Sequence, residues 1–461
     1  MKKLFRAMLC VAALTLMLCT SAMAAGPNDL SIEYNGEPLT FTDAAPQIVN
    51  DRTYLPFRAV FTALGFADEN ITYANDTRTV AAVREDLEVS MVIGENKVTI
   101  VKGGETTVLD TDVPAFIDPA VSRTFVPVSF VAQAVGYRVA WNGETRTVFI
   151  DDVEGILAAN TETYEIMDKY LDYSRKFQEK NYKVEGTFTA SMDMLGEAMA
   201  MDGTYSMLMA GSTKFDFEML MNMSGMVGDE DLSAAIPEGI DLSMCGDMTT
   251  GEFYFKSDLL MSMMQTGVEN LWFKMDLGAL MDSMAEVTGM TYADMMAMSQ
   301  EMMSGLKAKT LVETMVYATA QSDPSMSAVD HLAMYNAMLG DSAYKKEKDD
   351  YVNAFAMDGV EMAMMFHTAG NKVDGYTMTM AAEEEGMGMA VEVTMKDDKM
   401  EAVFEILAEE EGMTMSMEMD GTYTATNKAP VGAPGKDAAV MDLMEMMEAM
   451  SQTEMLVEPA A

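Results

Sequence analysis

The residues with most chemistry to offer are thioethers: 54 of the 461 residues are Met, and many alternate with small or polar residues. Gly412-Met413-Thr414-Met415-Ser416-Met417-Glu418-Met419-Asp420 is the clearest stretch. Successive side chains of a β-strand point to opposite faces, so its four Met share one face while Thr414, Ser416 and Glu418 take the other. The spacing returns at Met219, Met221 and Met223, at Met378 and Met380, at Met387 and Met389, and at Met207 and Met209. Three chemistries suit such a face. Met can fill core gaps as Leu or Val would, it can line an adaptable apolar cavity, or its sulfur can bind a soft ion such as Cu(I). In a cavity, a buried acyl chain contributes about 0.8 kcal/mol per CH2, so a chain of roughly 14 carbons is held without a specific polar contact. For a metal, same-face residues of one strand stand about 6.6 to 7 Å apart, so three sulfurs must reach inward or come from neighbouring strands.

Other reactive groups are sparse. His331 follows Val329-Asp330 on a predicted helix and His367 follows Met365-Phe366 on a predicted strand, and neither has a second His near it in sequence. Each reads more simply as a half-buried structural residue than as a base. Gly-x-Ser-x-Gly, His-Glu-x-x-His and phosphate-cradling glycine loops do not occur. With 74 acidic residues, a chance pair of carboxylates carries little weight. No catalytic residue, metal site or cofactor is therefore assigned, and a non-enzymatic protein is expected. Of three Cys, two lie at the N-terminal end, leaving Cys245 without an internal disulfide partner and expected as a small buried apolar residue.

The start of the chain and its charge set the compartment. Lys2, Lys3 and Arg6, the apolar run Ala7 to Leu18 and then Ala22-Met23-Ala24 are the three parts of a secretory signal. Residues 1–25 read as that signal, cleaved near Ala24 or Ala25. Leu18 before Cys19 and Leu9 before Cys10 are not the small residue that a lipid-modified Cys follows, so lipidation is not expected. No later apolar run approaches the roughly 20 residues of a membrane span, which predicts an extracytoplasmic protein outside the bilayer, in the envelope or cell wall. Loss of the three basic residues takes the formal charge from −44 to about −47, which argues against nucleic acid or an anionic membrane as partner. No Asp-x-Asp-x-Asp-Gly loop is present, so the charge reads as solubility and repulsion between copies.

The elements that must position these residues fall into two halves. In the first, Arg52-Thr53-Tyr54-Leu55-Pro56 returns as Arg123-Thr124-Phe125-Val126-Pro127, and Thr77-Arg78-Thr79-Val80 as Thr145-Arg146-Thr147-Val148. Between the markers, Phe57, Val60, Phe61 and Leu64 have helical spacing before Gly65, and Val128, Val131, Ala132 and Val135 have it before Gly136. Each copy thus predicts strands, a short helix and a closing hairpin, with three extra residues in the first copy around Asp68-Glu69-Asn70. Arg52 and Arg123 are expected to pair with a turn carboxylate or carbonyl at the same place in each copy.

Over residues 30–151 these motifs, with Trp141-Asn142-Gly143 opening the second hairpin, resemble the copper amine oxidase-like N-terminal domain, a stalk module of secreted proteins in Gram-positive bacteria. The resemblance implies an envelope-associated module, with a cell-wall component as a partner for the repeats. It does not bring the oxidase chemistry, which needs three His and an Asn-Tyr-Asp/Glu motif. This chain has two His, and Asn181-Tyr182 precedes Lys183.

In the second half, Val153 to about Lys180 predicts one charged connecting helix, with Tyr164, Met167, Tyr170, Leu171 and Tyr173 on its apolar stripe. Strands follow from Tyr182, including Gly251-Glu252-Phe253-Tyr254-Phe255-Lys256 and Leu271-Trp272-Phe273-Lys274-Met275-Asp276-Leu277. Residues 279–350 have helical composition, the glutamate triplets before Gly386 and Gly412 read as solvated hairpin turns, and Ala438 to Met450 reads as an acidic helix. Residues 160–435 resemble the LolA and LppX lipid carriers, which implies a curved antiparallel half-barrel with helices over its apolar face and a cavity between.

The expected fold is α+β: two small strand-helix-hairpin repeats, then a curved antiparallel β half-barrel with covering helices. The expected domains are 26–151, a connecting helix at 152–181, a half-barrel at 182–430 with a helical insertion at 279–350, and a linker and helix at 431–461. The ligand would be a lipid or another apolar group, on a cavity lined by Met219, Met221, Met223, Met378, Met380, Met413, Met415, Met417, Met419 and Trp272.

Overall fold

The computed structural model describes residues 30–443 apart from 195–196, 212, 228–229, 237–238, 258, 260, 262–266, 269, 284–290, 304, 306, 358, 385 and 409–411. The expected signal peptide and residues 444–461 lie outside the described residues. The chain divides into two units, Met1–Thr163 with Lys309–Gly340, and Tyr164–Ala308 with Asp341–Ala461.

In the first unit the strands Arg52–Pro56 and Arg123–Pro127 lie antiparallel at the centre of a four-stranded sheet, with Val126 opposite Leu55. Their burial runs in the same order, from an exposed Arg to a buried aromatic, aliphatic and Pro. Helices Phe57–Ala63 and Val128–Val135 follow directly, and Gly65 and Gly136 both take φ +84°, the left-handed conformation that ends a helix at little cost only in Gly. Phe57, Val60, Phe61 and Leu64 are all buried, each worth about 1.5–3 kcal/mol. Asp68–Asn70 forms a single 3-10 turn ahead of the hairpin Ile71–Ala74 and Thr79–Arg84. The second hairpin, Arg138–Asn142 with Thr147–Asp151, is extended by the parallel strand Ser31–Tyr34. Arg52 pairs with Asp112, and Arg123 with Asp43, so each guanidinium meets a carboxylate from the other repeat's stretch of sequence.

Two helices expected to cover the half-barrel belong to this first unit instead. Ala308–Ser322 and Ala328–Leu339 are joined by a loop gripped by Arg138. Its guanidinium donates to the carbonyls of Ala320, Asp323 (2.7 Å) and Met326 (3.0 Å) and pairs with the buried Asp151 at 2.6 Å. Asp151 also accepts from the Ala328 amide, and Asn142 donates to the Ser325 carbonyl. A buried charge pair surrounded by carbonyls fixes this loop more firmly than the amphipathic stripe that suggested a lid. Ser327 and Asp330 form a capping box at the start of the second helix.

The connecting helix is also two helices, Val153–Ala159 and Glu165–Arg175, and the units part between them at Thr163 and Tyr164. Asn160, Thr161 and Thr163 are poor helix formers, and Asn160 turns extended after the first helix.

The second unit is strand-rich and curled into a half-barrel. Its sheet runs in the spatial order Lys345–Glu347, Asp350–Met357, Val360–Ala369, Lys372–Glu384, Met387–Lys396, Lys399–Ala408, Met413–Thr426, Asn181–Met194, Glu197–Ala210, Lys214–Val227, Ile240–Asp247, Glu252–Lys256, Leu271–Asp276 and Ala439–Asp442. All neighbours are antiparallel except the last pair. Ala439–Asp442 is therefore a strand where the start of a helix was expected, its backbone paired with Leu271–Lys274. Helices Leu277–Ser283 and Tyr292–Met303 adjoin the turn at Gly251, where Gly278 packs against backbone and the Tyr292 hydroxyl donates to the Met248 carbonyl.

Candidate functional site

Residues paired across antiparallel strands point to the same side, so the register decides which thioethers share a face. One row reads Met389, Ile406, Met415, Met192, Met199 and Gly225 across six strands. The next reads Met362, Met380, Val391, Phe404, Met417, Ala190, Met201 and Met223. A third reads Met364, Met378, Val393, Ala402, Met419, Phe188, Gly203 and Met221, and Met219 stands opposite Tyr205 one row on. Met413, at the strand end, is paired in register with residue 194. The nine Met named from the sequence thus lie on one face. The register adds Met192, Met199, Met201, Met362, Met364, Met389 and Met395 to it; their own alternation, as in Ser191-Met192-Asp193-Met194, was the available signal.

Trp272 does not join them. Phe273 pairs with Phe255, Phe255 with Met244 and Met244 with Phe217, which places Phe273 on the Met side and Trp272 on the other. Its indole nitrogen donates to Asn270 at 3.2 Å. A one-residue step changes the face of a strand residue, and the aromatic run Trp272-Phe273 does not reveal which partner faces inward.

Burial separates these methionines from ordinary core. Among the described residues the fully buried Met are Met91, Met167, Met326 and Met395, and of these Met395 lies on this face, opposite Tyr376; the other deeply buried positions of the face include Phe366, Phe273, Ala402, Val184, Phe188 and Tyr205. Met219, Met221 and Met419 pack half-buried against Val184, Phe188 and Tyr205, and Met415 and Met417 are half-buried further along the same face. Gly186 makes room for this cluster: a Cβ there would meet the Asp420 carbonyl at 1.8 Å and the Tyr205 ring at 2.8 Å. The Tyr205 hydroxyl donates to the Asp420 carbonyl, and burial pushes its pKa up to about 12.

One end of the face is closed by aromatic packing from helix Glu165–Arg175. Tyr170 stacks on Phe366 with centroids 4.7 Å apart and meets Tyr376 edge-on, while Phe177, just beyond the helix, packs on Tyr423. Burial pushes the Tyr170 hydroxyl up to about 12. Residues 309–340, expected as part of a helical lid, belong to the first unit. Two shallow depressions of about 550 and 660 Å³ are lined from both alternations of the sheet, by Glu361, Ala381, Ala390 and Glu405 together with Met389 and Met415 in the first and Met362 and Met380 in the second.

The remaining candidates are structural in placement. His331 is buried in helix Ala328–Leu339, where burial lowers its pKa and Nε2 lies 3.9 Å from Asp323. His367 sits between Asp350 (3.1 Å) and Thr377 (2.9 Å) on its strand. Cys245 is buried, and burial pushes its thiol up to about 12. Among the described residues no three His, Cys, Asp or Glu gather as a metal site, and no helix is long and apolar enough to cross a membrane.

Comparison with solved structures gives distant likenesses. A DUF1329 family protein from Desulfovibrio piger aligns with 61% of this chain and 95% of its own at 8% identity and TM-score 0.20. A putative outer membrane lipoprotein-sorting protein domain from Vibrio parahaemolyticus aligns with 57% of this chain and 95% of its own at 7% identity and TM-score 0.21. Lipovitellin aligns with 56% of this chain at 6% identity and TM-score 0.22, over 26% of its own length. No curated protein matches the sequence. Residues 33–150, which carry both Arg-Thr-aromatic strands and both closing hairpins, match the family model of the copper amine oxidase N-terminal domain.

Proposed function

We propose that this is a secreted, non-enzymatic envelope protein whose Met-bearing sheet face binds or shields an apolar, lipid-like ligand, on the same chain as a stalk-type module. The observation that carries this reading is the placement of thioethers at half-buried positions of one continuous face, with Phe and Tyr beneath and between them. A core-filling role would put Met at the deepest positions, and apart from Met395 those are filled by aromatic, branched or small side chains. Unbranched, polarizable Met at the accessible positions gives a surface that adapts to ligands of varied shape. Flexible acyl chains are the ligands that need little beyond apolar area, at about 0.8 kcal/mol per CH2.

The test is to incubate the purified mature protein with a lipid extract, re-isolate it and identify retained material by mass spectrometry. Stoichiometric lipid, lost when Met201 and Met417 are replaced by Lys, supports the reading. Repeated absence of lipid leaves the face as a structural or adhesive surface and overturns it.

A further inference from the structure

Within the Met face, one place differs from the rest: Met192 on Asn181–Met194 is flanked directly by Met199 on one neighbouring strand and Met415 on the other. We infer that Met199, Met192 and Met415 form a thioether site for a soft monovalent metal ion, Cu(I) or Ag(I). Along a single strand, same-face sulfurs begin about 7 Å apart, too far for compact coordination without strong inward bending. Across strands the three side chains begin only about 5 Å from one neighbour to the next, within reach of a side chain with three rotatable bonds. All three are half-buried, so they are accessible to an ion yet partly removed from competing water.

The donor set decides the ion. Thioethers are neutral and soft, which suits Cu(I) and Ag(I) and gives nothing to Ca2+ or Mg2+. The polar residues of these strands, Ser191, Asp193, Thr414 and Ser416, alternate to the opposite side and cannot supply oxygen to the row. Glu197 does share the Met side, opposite Met194 and one row nearer the hairpin end. Further thioethers surround the row: Met201 faces Met223 directly, and Met417 follows Met415 on the same side. The middle position matters most, because only Met192 has a thioether partner on both sides in this row.

The experiment titrates the full mature protein anaerobically with Cu(I) against a chromogenic chelator, and with Ag(I) as a redox-inert probe, while methyl resonances of 13C-labelled Met are followed. One equivalent is expected to be held, shifting the Met192, Met199 and Met415 methyl signals together. M192L keeps the side-chain volume and removes the central sulfur, and is expected to weaken retention about tenfold or more. The triple variant M248L/M315L/M338L, outside the face, is the control and is expected to bind as the parent does. Far-ultraviolet circular dichroism checks that each variant is folded. No retention by the parent protein, or equal losses in M192L and the control, overturns the site; the second result would mean that the ion is shared among dispersed thioethers.

Discussion

Arg138→Met tests the assignment of helices Ala308–Ser322 and Ala328–Leu339 to the first unit. The substitution keeps an apolar stem of similar length but removes the partner of Asp151, whose side chain is 1% exposed, and the donors to three loop carbonyls. Removing one member of a buried ion pair leaves an uncompensated charge and costs about 3–5 kcal/mol. Since a domain is stable by only about 5–15 kcal/mol, that cost should open the helical pair or the whole unit. Urea denaturation measures the loss, and hydrogen exchange locates it, with faster exchange expected at residues 309–340. The pH dependence gives a second check. Burial pushes the Asp151 carboxyl above its usual range, against the opposing pull of the Ala328 amide and Arg138. An acid with a raised folded pKa loses stability as pH rises from its unfolded pKa through the folded one. Without Arg138 the folded pKa rises further, so the deficit of the variant should be greatest near neutral pH and shrink as acid protonates Asp151. A cost below about 1 kcal/mol, the ordinary worth of an exposed pair, would refute the reasoning.

Three further outcomes follow from the second unit. Met201→Lys with Met417→Lys should lower lipid retention about tenfold or more, because an ammonium must be desolvated against an apolar ligand, while urea midpoints move little. Trp272→Phe should leave retention unchanged, since the indole is on the other face, and a marked loss in a lipid-binding assay would contradict the register. Cys245 should resist thiol reagents in the folded protein and react once denatured, because burial pushes its pKa up to about 12; rapid labelling at neutral pH would show the site to be open.

How much was legible follows from how local each signal was. The Arg-Thr-aromatic-aliphatic-Pro strands and the helices ending in Gly65 and Gly136 depend on neighbours within a few residues, and the matching burial patterns carry that local logic into the fold. Strand alternation is equally local, which is why nine candidate Met share one face. Trp272 was misplaced because its face depends on register with Glu252–Lys256 and beyond, which the aromatic run does not encode. The destination of residues 309–340 was hidden for a similar reason. Arg138 lies about 180 positions before the carbonyls it grips, and an amphipathic stripe specifies that a helix buries one side without naming what it is buried against. Ala439–Asp442 shows the same limit, since Met-rich acidic sequence suits a helix until a free strand edge offers its backbone partners.

The sheet therefore separates two demands that a Met-rich sequence leaves merged. Val184, Phe188 and Tyr205 have the fixed shapes that define packing, and they take the buried positions. Apart from the buried Met395, the Met of this face take positions that keep partial access to water, where packing against the protein's own side chains is incomplete. Leu would supply similar apolar area there, so hydrophobicity alone does not explain the choice; flexibility and sulfur are what Met adds. Flexibility serves an acyl ligand whose shape varies, whereas sulfur serves a soft ion. Exchanging Met for Leu at Met192 keeps the area and removes the donor, so a response to that exchange reports the sulfur and a response to Lys at Met201 and Met417 reports the apolar surface.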